Sequence, residues 1–267
     1  MTPISETLPL LQPALLVALL GLAFGALLAI AFRFLAVRED PRIAAVAERL
    51  PGANCGGCGY AGCADCAKAI VLDGAAPSLC SAASDDAIHA IASLLGRAAT
   101  SRERLVALVH CAGDESVATR RARYNGISDC ASAASVAGGD KACSYGCLGY
   151  GTCARLCPVR AIDIRQGVAV VDPKRCIACG RCVAACPRKL IRLVPAAETL
   201  RVLCSSPEKG AAVRKVCQRG CIGCTLCAKF APQAFRMEGN LAVREYGAQP
   251  PGEGVAAKCP AKAIVCR

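Results

Sequence analysis

The spacing of its cysteines is the feature that most constrains the fold of this chain. Twenty-two of the 267 residues are cysteine, far above ordinary usage. Disulfide scaffolds of this density belong to short secreted chains, whereas C-x-x-C clusters on a longer chain favour metal binding. Aromatic residues make up only 4% of the chain and Trp is absent. We therefore predict small domains that fold around inorganic centres rather than around a large aromatic core.

The most regular run of cysteines begins at Cys176 and reads C-x2-C-x2-C-x3-C-P. This is the bacterial ferredoxin pattern, in which the fourth cysteine binds the other of two [4Fe–4S] clusters. A looser version, C-x3-C-x5-C-x3-C-P, begins at Cys143. Exchanging the fourth ligands gives two sets: Cys143, Cys147, Cys153 and Cys186 for one cluster, and Cys176, Cys179, Cys182 and Cys157 for the other. Between the runs, AIDIRQGVAVVD predicts a β-hairpin that turns at Gln166-Gly167.

The C-terminal segment repeats this module in a reduced form. With one single-residue gap, Cys153 aligns with Cys227, and Cys186 aligns with Cys259. The ligands of one cluster, Cys157, Cys176, Cys179 and Cys182, align with Ala231, Gln249, Gly252 and Val255. The other set is complete as Cys221, Cys224, Cys227 and Cys259. We therefore predict a degenerate ferredoxin module that binds one cluster.

A separate glycine-rich box, GANCGGCGYAGC, precedes the ferredoxin module. Cys55, Cys58 and Cys63 have C-x2-C-x4-C spacing, and Cys80 is the next cysteine outside the following helical stretch. Glycines let backbone N–H groups approach sulfur closely. Zinc also uses four cysteines, but this irregular spacing fits its paired knuckles poorly. We predict one [4Fe–4S] cluster here, with Cys66 as a surplus buried thiol on the helix.

Four further thiols have no partner set in these modules: Cys111, Cys130, Cys204 and Cys217. Cys111 ends the strand-like run RLVALVHC, and Cys204 ends LRVLC. If these strands pair, the four thiols converge on a fifth cluster; the alternative is that they are buried structural thiols. His89 and His110 are the only histidines, too few for histidine-based catalysis. No nucleotide-binding or Ser/His/Asp motif is present, so no catalytic residue is assigned.

An apolar segment, Ala14 to Leu35, contains one charge, Arg33. Twenty-two helical residues span roughly 33 Å, enough to cross a bilayer. The residues before it contain Glu6 and no Lys or Arg, which favours an anchor over a cleaved signal peptide. The arginines that flank its C-terminal end are Arg33, Arg38 and Arg42, so we expect the cysteine domains on the cytoplasmic side. Gly21 and Gly25 form a G-x-x-x-G step, which either packs on a partner helix or is ordinary for an Ala-rich span.

The formal net charge of +12 counts every thiol as neutral. A [4Fe–4S] cluster with four thiolates carries about −2, so four clusters reduce the charge to about +4 and five to about +2. The basic excess is therefore mostly counter-charge, and no aromatic-interleaved basic run indicates nucleic-acid binding. The remaining positive surface suits an acidic redox partner.

These features predict an α+β chain with a single transmembrane helix, a small cysteine-rich domain and two ferredoxin-like modules, the second degenerate. The expected boundaries are 1–36 for the anchor, 37–97 for the first cluster domain, 98–140 for a connecting region, 141–192 for the two-cluster module, 193–216 for a linker and 217–267 for the degenerate module.

An N-terminal anchor followed by EDPR…LPGANCGGCGYAGC and then GISDC…CSYGCLGYGTC…CP resembles the B-subunit of Rnf-type ion-translocating ferredoxin:NAD oxidoreductases, in its long form. The resemblance implies electron transfer between soluble ferredoxin and other integral and peripheral subunits, at the inner (cytoplasmic) membrane. It also implies that NAD and flavin are bound by other subunits. The long form commonly keeps both clusters in the last module, and this chain departs from it there.

Two other functions remain open at this level. One is the iron–sulfur relay subunit of another membrane oxidoreductase, of the formate dehydrogenase or hydrogenase type. The other is a zinc-binding scaffold used in assembly.

Overall fold

A computed structural model describes residues 8–35, 40–99, 102–247, 252 and 254–266 of the chain. Its contacts divide the chain into two compact units, Met1–Pro41 and Arg42–Arg267. The first unit consists mainly of α1, Leu8–Leu35. Within the described residues, α1 is the one helix whose length and composition suit a membrane span, over Leu15–Leu35 with a mean hydropathy of 2.7.

Over Leu15–Leu35 the large apolar side chains of this helix are exposed. A Cβ built on Gly21 or Gly25 would meet no atom within 4 Å. Glu6, which favours an anchor over a signal peptide, and Arg38, on which the predicted orientation partly depends, lie outside the described residues.

The second unit mixes short helices and strands, as the sequence predicts. Its helices are α2 Pro41–Arg49, α3 Cys63–Val71, α4 Asp85–Leu94, α5 Cys130–Ser135, α6 Thr152–Arg155, α7 Arg181–Ala185, α8 Gly210–Val216, α9 Leu226–Phe230 and α10 Gly254–Ala257. Its strands are β1 Leu105–Val109, β2 Ile162–Arg165, β3 Val168–Val171, β4 Ile191–Pro195, β5 Leu200–Val202, β6 Phe235–Glu238, β7 Leu241–Arg244 and β8 Ile264–Cys266.

Helices α2, α3 and α4 form a small domain around its own apolar core. Val46, Ile70 and Ile91 are completely buried there, one from each helix. Helix α4 begins after Ser84, whose side chain accepts a hydrogen bond from the N–H of Ala87, a common N-terminal cap. The core fixes the loop between α2 and α3, which contains the first cysteine box.

The rest of the unit consists of two similar repeats, each with one sheet and one hairpin. In the first repeat β1 pairs with β4, and β2 pairs with β3. In the second repeat β5 pairs with β8, and β6 pairs with β7. All four pairs are antiparallel. The hairpin predicted at Gln166-Gly167 is confirmed, with both residues at positive φ, as a tight two-residue turn requires.

The strand pairing that the fifth-cluster hypothesis assumed is absent from the described structure. Strands β1 and β5 do not pair with each other, because each is paired with the last strand of its own repeat. They approach at their ends, where the N–H of Ala112 donates to the carbonyl of Leu203 at 3.0 Å and Nδ1 of His110 lies 2.9 Å from the carbonyl of Val202, the last residue of β5. The segments expected as a connecting region and a linker, 98–140 and 193–216, therefore contain the first strand of each repeat.

Candidate iron–sulfur sites

The first site lies in the loop that precedes α3. The side-chain oxygen of Asn54 accepts a hydrogen bond from the N–H of Cys63 at 2.8 Å, which holds the glycine-rich loop against the start of the helix. Cys80 comes from the loop before α4 and lies close enough to Cys55 and Cys58 for their charges to interact. The structure therefore brings the predicted thiols of the first box together.

Cys66 is the surplus thiol of this domain, and it is 1% exposed. Burial, with a smaller contribution from a hydrogen bond with Cys58, raises its pKa to about 12. Its position in the apolar core of this domain agrees with its predicted role as a small buried residue.

The second site lies in the first repeat, on the loop before α7. Cys182 interacts electrostatically with Cys176, Cys179 and Cys157, so the four thiols predicted to bind one cluster are neighbours. Burial, together with the smaller effect of the neighbouring sulfurs, raises the pKa of Cys182 to about 12. Two of these sulfurs accept backbone N–H groups, Cys176 from Ala107 at 3.3 Å and Cys157 from Ala161 at 3.2 Å.

The third site differs from the sequence prediction by one ligand. A cavity of about 380 Å³ in the first repeat is lined by the sulfur-bearing residues Cys130, Cys147, Cys153 and Cys186. Cys143, which was expected here, lies in another cavity. Cys130, which was expected among the leftover thiols, takes its place and interacts electrostatically with Cys153.

A small polar network holds Cys130 in that position. Asp129 precedes α5 and accepts the N–H groups of Ala131 and Ser132. The hydroxyl of Thr152 donates to Asp129 at 2.7 Å and accepts the N–H of Cys130 at 2.8 Å. Because Thr152 begins α6, this pair of bonds joins the distant Cys130 loop to the helix that contains Cys153.

The repeat alignment also explains why a distant cysteine is needed. The second repeat has Cys224 between Cys221 and Cys227, whereas Tyr150 occupies the equivalent position in the first repeat. The first repeat therefore lacks one thiol in its own loop, and Cys130 supplies it. Nearest-neighbour spacing selected Cys143 instead. Comparison of the two repeats aligns Cys143 with Cys217 and could therefore have excluded Cys143, but it does not identify Cys130.

The fourth site lies in the second repeat, in a cavity of about 440 Å³. All four predicted thiols line it: Cys221, Cys224, Cys227 and Cys259. Of the positions where the twin cluster's ligands are missing, Val255 is buried in the core of this repeat and Ala231 packs against it. Gln249 lies outside the described residues. Apolar packing thus occupies part of the volume that a second cluster would need.

A further cavity, of about 400 Å³, lies between the two repeats. The thiols that line it are Cys111, Cys143, Cys204 and Cys217. Three of them are the predicted candidates for a fifth cluster, with Cys143 in place of Cys130.

A mononuclear metal ion and a [4Fe–4S] cluster place different geometric demands on their thiol ligands. Across the described part of the chain, no three Cys, His, Asp or Glu side chains converge on the position of one metal ion. Zinc would require such convergence at about 2.3 Å from each sulfur. A [4Fe–4S] cluster instead binds each thiolate through a different iron, so its ligands line a wider cavity.

The chain matches known protein families at both cysteine regions. A profile described as a putative Fe-S cluster matches residues 50–82, and a 4Fe-4S binding domain matches residues 169–192. The chain is 38% identical to the B-subunit of the ion-translocating oxidoreductase complex of Methanosarcina acetivorans over 93% of its own length and 95% of that protein. It is 41% identical to the B-subunit of the proton-translocating ferredoxin:NAD(+) oxidoreductase complex of Clostridium ljungdahlii, over 92% of the chain and 88% of that protein.

This chain belongs to the B-subunit family of these complexes. The match to the B-subunit of the Na(+)-translocating ferredoxin:NAD(+) oxidoreductase complex of Acetobacterium woodii is 44% identical, over 79% of the chain and 64% of that relative. Family membership, the apolar helix and the two iron–sulfur matches together indicate a membrane-associated iron–sulfur protein. The resemblance that the GANCGGCGYAGC box suggested is therefore confirmed.

In this B-subunit, the first box lies directly against the ferredoxin module. A Cβ built on Gly57 would lie 2.8 Å from the carbonyl oxygen of Cys179, so only glycine allows the two backbones to approach this closely. Cys55 also interacts electrostatically with Cys179. The first and second sites are therefore in direct contact.

Proposed function

We propose that this chain relays electrons between soluble ferredoxin and the rest of a membrane-bound ferredoxin:NAD oxidoreductase complex that translocates ions. The observation that supports this most directly is the cavity of the second repeat, where four thiols surround an apolar space of the kind a [4Fe–4S] cluster requires. The bound clusters supply one-electron redox chemistry.

We propose four ligand sets, which the positions of the thiols support. They are Cys55, Cys58, Cys63 and Cys80; Cys157, Cys176, Cys179 and Cys182; Cys130, Cys147, Cys153 and Cys186; and Cys221, Cys224, Cys227 and Cys259. The first, second and fourth sets are those predicted from spacing, and the third exchanges Cys143 for Cys130.

The protein itself sets the spacing of the ligands, and its hydrogen bonds to sulfur adjust the reduction potential of each cluster. Backbone N–H groups donate to the sulfurs, for example from Leu190 to Cys186 at 3.4 Å. Such bonds stabilise the more negative, reduced state of a cluster and so raise its reduction potential. The contact of Gly57 with Cys179 places the first set beside the second, which suits transfer of an electron between them.

We further propose that α1 crosses the inner membrane once and that the second unit lies on the cytoplasmic side, where ferredoxin is found. The positive charge that remains after the clusters are bound attracts an acidic partner such as ferredoxin. The NAD and flavin sites belong to other integral and peripheral subunits in this proposal, and this chain makes or breaks no covalent bond of a substrate.

Metal and sulfide analysis of the full chain, purified anaerobically in detergent, tests the proposal. We expect at least roughly 16 iron atoms and as many acid-labile sulfides per chain, and bleaching of the visible absorbance when reduced ferredoxin is added. A colourless, zinc-replete protein would contradict electron transfer and support the scaffold. Co-purification with formate dehydrogenase or hydrogenase subunits, rather than with flavin- and NAD-binding ones, would support the other relay.

A further inference from the structure

Between the two repeats lies a group of four thiols that belongs to neither ferredoxin pattern. Cys111 follows β1 by two residues, and Cys204 follows β5 by the same distance. Cys143 and Cys217 each precede, by four residues, the first cysteine of their own repeat's loop. Each repeat therefore contributes two thiols from equivalent positions.

The backbone brings these positions together. Thr119 donates its N–H to the carbonyl of Val216 at 3.0 Å, and Ala142 donates to the carbonyl of Thr119 at 3.0 Å. The segment around Thr119 thus lies between the segments that carry Cys143 and Cys217. A Cβ built on Gly113 would be 3.3 Å from the sulfur of Cys217 and 3.7 Å from that of Cys111, so these two sulfurs face the same small space.

Each of the four sulfurs also accepts a backbone N–H, as cluster ligands commonly do. Cys111 accepts from Cys147 at 3.3 Å, and Cys204 accepts from Ser206 at 3.5 Å. Cys143 accepts from Tyr145 and Cys217 from Arg219. The donor in three of these bonds lies two residues after the cysteine, as it also does at the proposed ligands Cys80, Cys147 and Cys179.

A buried cation lies beside the four thiols. Lys141 lines the cavity and is 1% exposed. Its ammonium group donates to the carbonyls of Gly113 at 2.6 Å and Gly167 at 3.0 Å. The ion pairs found among the described residues do not include Lys141. A buried charge is costly without an opposite charge nearby, and a four-thiolate cluster of about −2 provides one.

We propose that Cys111, Cys143, Cys204 and Cys217 bind a fifth [4Fe–4S] cluster at the junction of the two repeats. The four thiols lose their protons on binding, as thiolate ligands must. The inference rests on the proposed electron-relay function and adds a site to it.

The position of this junction site gives it a role in that relay. The N–H of Cys147, a ligand of the third site, donates to Cys111. The N–H of Cys221, a ligand of the fourth site, donates to Cys204. The junction thiols therefore touch a ligand loop of each repeat, and they connect the fourth site to the other three.

The iron content of the full chain tests the site without any variant. Five sites require roughly 20 iron atoms per chain and four require roughly 16. About 20 supports the junction site. A value near 16 overturns it and leaves the proposed function intact, whereas a protein that lacks iron overturns both.

Paired substitutions test which thiols share a site. We expect Cys111→Ala with Cys143→Ala to remove roughly four iron atoms, because both residues belong to one site. The spacing-based assignment places Cys143 with Cys147 and Cys111 with Cys130, so in a chain that binds five clusters it requires a loss of roughly eight. We expect Cys130→Ala with Cys153→Ala likewise to remove roughly four iron atoms, whereas the spacing-based assignment again requires roughly eight. Cys266→Ser, at an exposed thiol outside all five sets, is the control and should retain all the iron.

Lys141→Met tests the counter-charge without removing a ligand. Loss of a nearby positive charge disfavours the more negative reduced state, so we expect one cluster to become harder to reduce while the iron content is unchanged. Redox titration followed by electron paramagnetic resonance measures this. Unchanged potentials for all clusters in an iron-replete variant would overturn the placement of a cluster beside Lys141.

Discussion

Gly57 is the residue through which the first cysteine box contacts the ferredoxin module. The atoms that a Cβ at this position would meet are backbone atoms of Cys179, the nearest at 2.8 Å. Backbone cannot rotate away as a side-chain end can, so any added atom must push the two segments apart.

Gly57→Ala should therefore weaken the packing of the first domain on the module. Overpacking of this kind costs about 1–3 kcal/mol, and we expect a corresponding fall in the free energy of unfolding of the iron-loaded chain, measured by denaturant titration. Gly254→Ala is the matched control, since nothing lies within 4 Å of its added Cβ. Equal stability of the two variants would contradict the close approach.

At the same scale, Cys130 and Cys143 show what spacing alone can and cannot predict. The spacing of the ferredoxin run from Cys176 to Cys186 is sufficient to predict its loop, because short regular spacings are typical of a loop that wraps around a cluster. Tyr150 interrupts the equivalent loop of the first half. Cys130 supplies the missing thiol, and the hydrogen bonds of Asp129 and Thr152 hold it in place. Cysteine spacing does not encode such a tertiary interaction.

At the scale of elements, the buried ion pair of Glu198 and Arg244 joins the turn between β4 and β5 to the end of β7. The carboxylate and guanidinium are 2.8 Å apart, and the two side chains are 7% and 1% exposed. Arg244 also donates to the carbonyl of Ala234 at 2.9 Å and lies over the ring of Phe235. The pair therefore fixes the turn that precedes β5 to strand β7 of the second repeat.

Glu198→Gln keeps the shape of the side chain but leaves the buried guanidinium without its counter-charge. Breaking a buried pair in this way costs about 3–5 kcal/mol, and we expect the second repeat to unfold at lower denaturant concentration. Glu238→Gln is the control, because its pair with Arg236 is exposed and such pairs contribute about 0–1 kcal/mol. If the two variants unfold alike, the buried pair has no structural role.

The positions of some helices and strands were predictable from the sequence, whereas the pairing between distant strands was not. Helix α3, which follows the first cysteine box, and the hairpin at Gln166-Gly167 lie where the residue pattern placed them. The pairing of β1 with β4 was missed because it joins residues far apart in sequence, and a short apolar strand does not identify its partner. The segments expected to be linkers became parts of the repeats for this reason.

At the scale of the whole molecule, the thiol sites of the second unit lie between short elements. The four sheets found among the described residues have two strands each, and two-stranded sheets are marginally stable alone. Burial raises the pKa of Cys153 to about 12 and that of Cys204 to about 11. Without bound metal, the thiols of Cys153 and Cys204 therefore stay protonated at neutral pH.

Removal of iron should consequently unfold the repeats, because metal binding in such sites is part of the folding free energy. We expect a chelator-treated chain to lose its cooperative thermal transition and to become sensitive to protease from residue 102 onward. Anaerobic addition of iron and sulfide should restore both properties. An iron-free chain that melts at the same temperature as the loaded one would show that the repeats fold independently of the clusters.

The junction between the repeats has an evolutionary consequence. A site that takes two ligands from each of two equivalent halves has the composition of a symmetric dimer interface, in which the same residues of each subunit face each other across a two-fold axis. A single ancestral module would have completed this site by pairing with a second copy of itself. Fusion of two copies into one chain would then have released the halves to diverge, so that the second half lost one cluster while the shared site between them was kept.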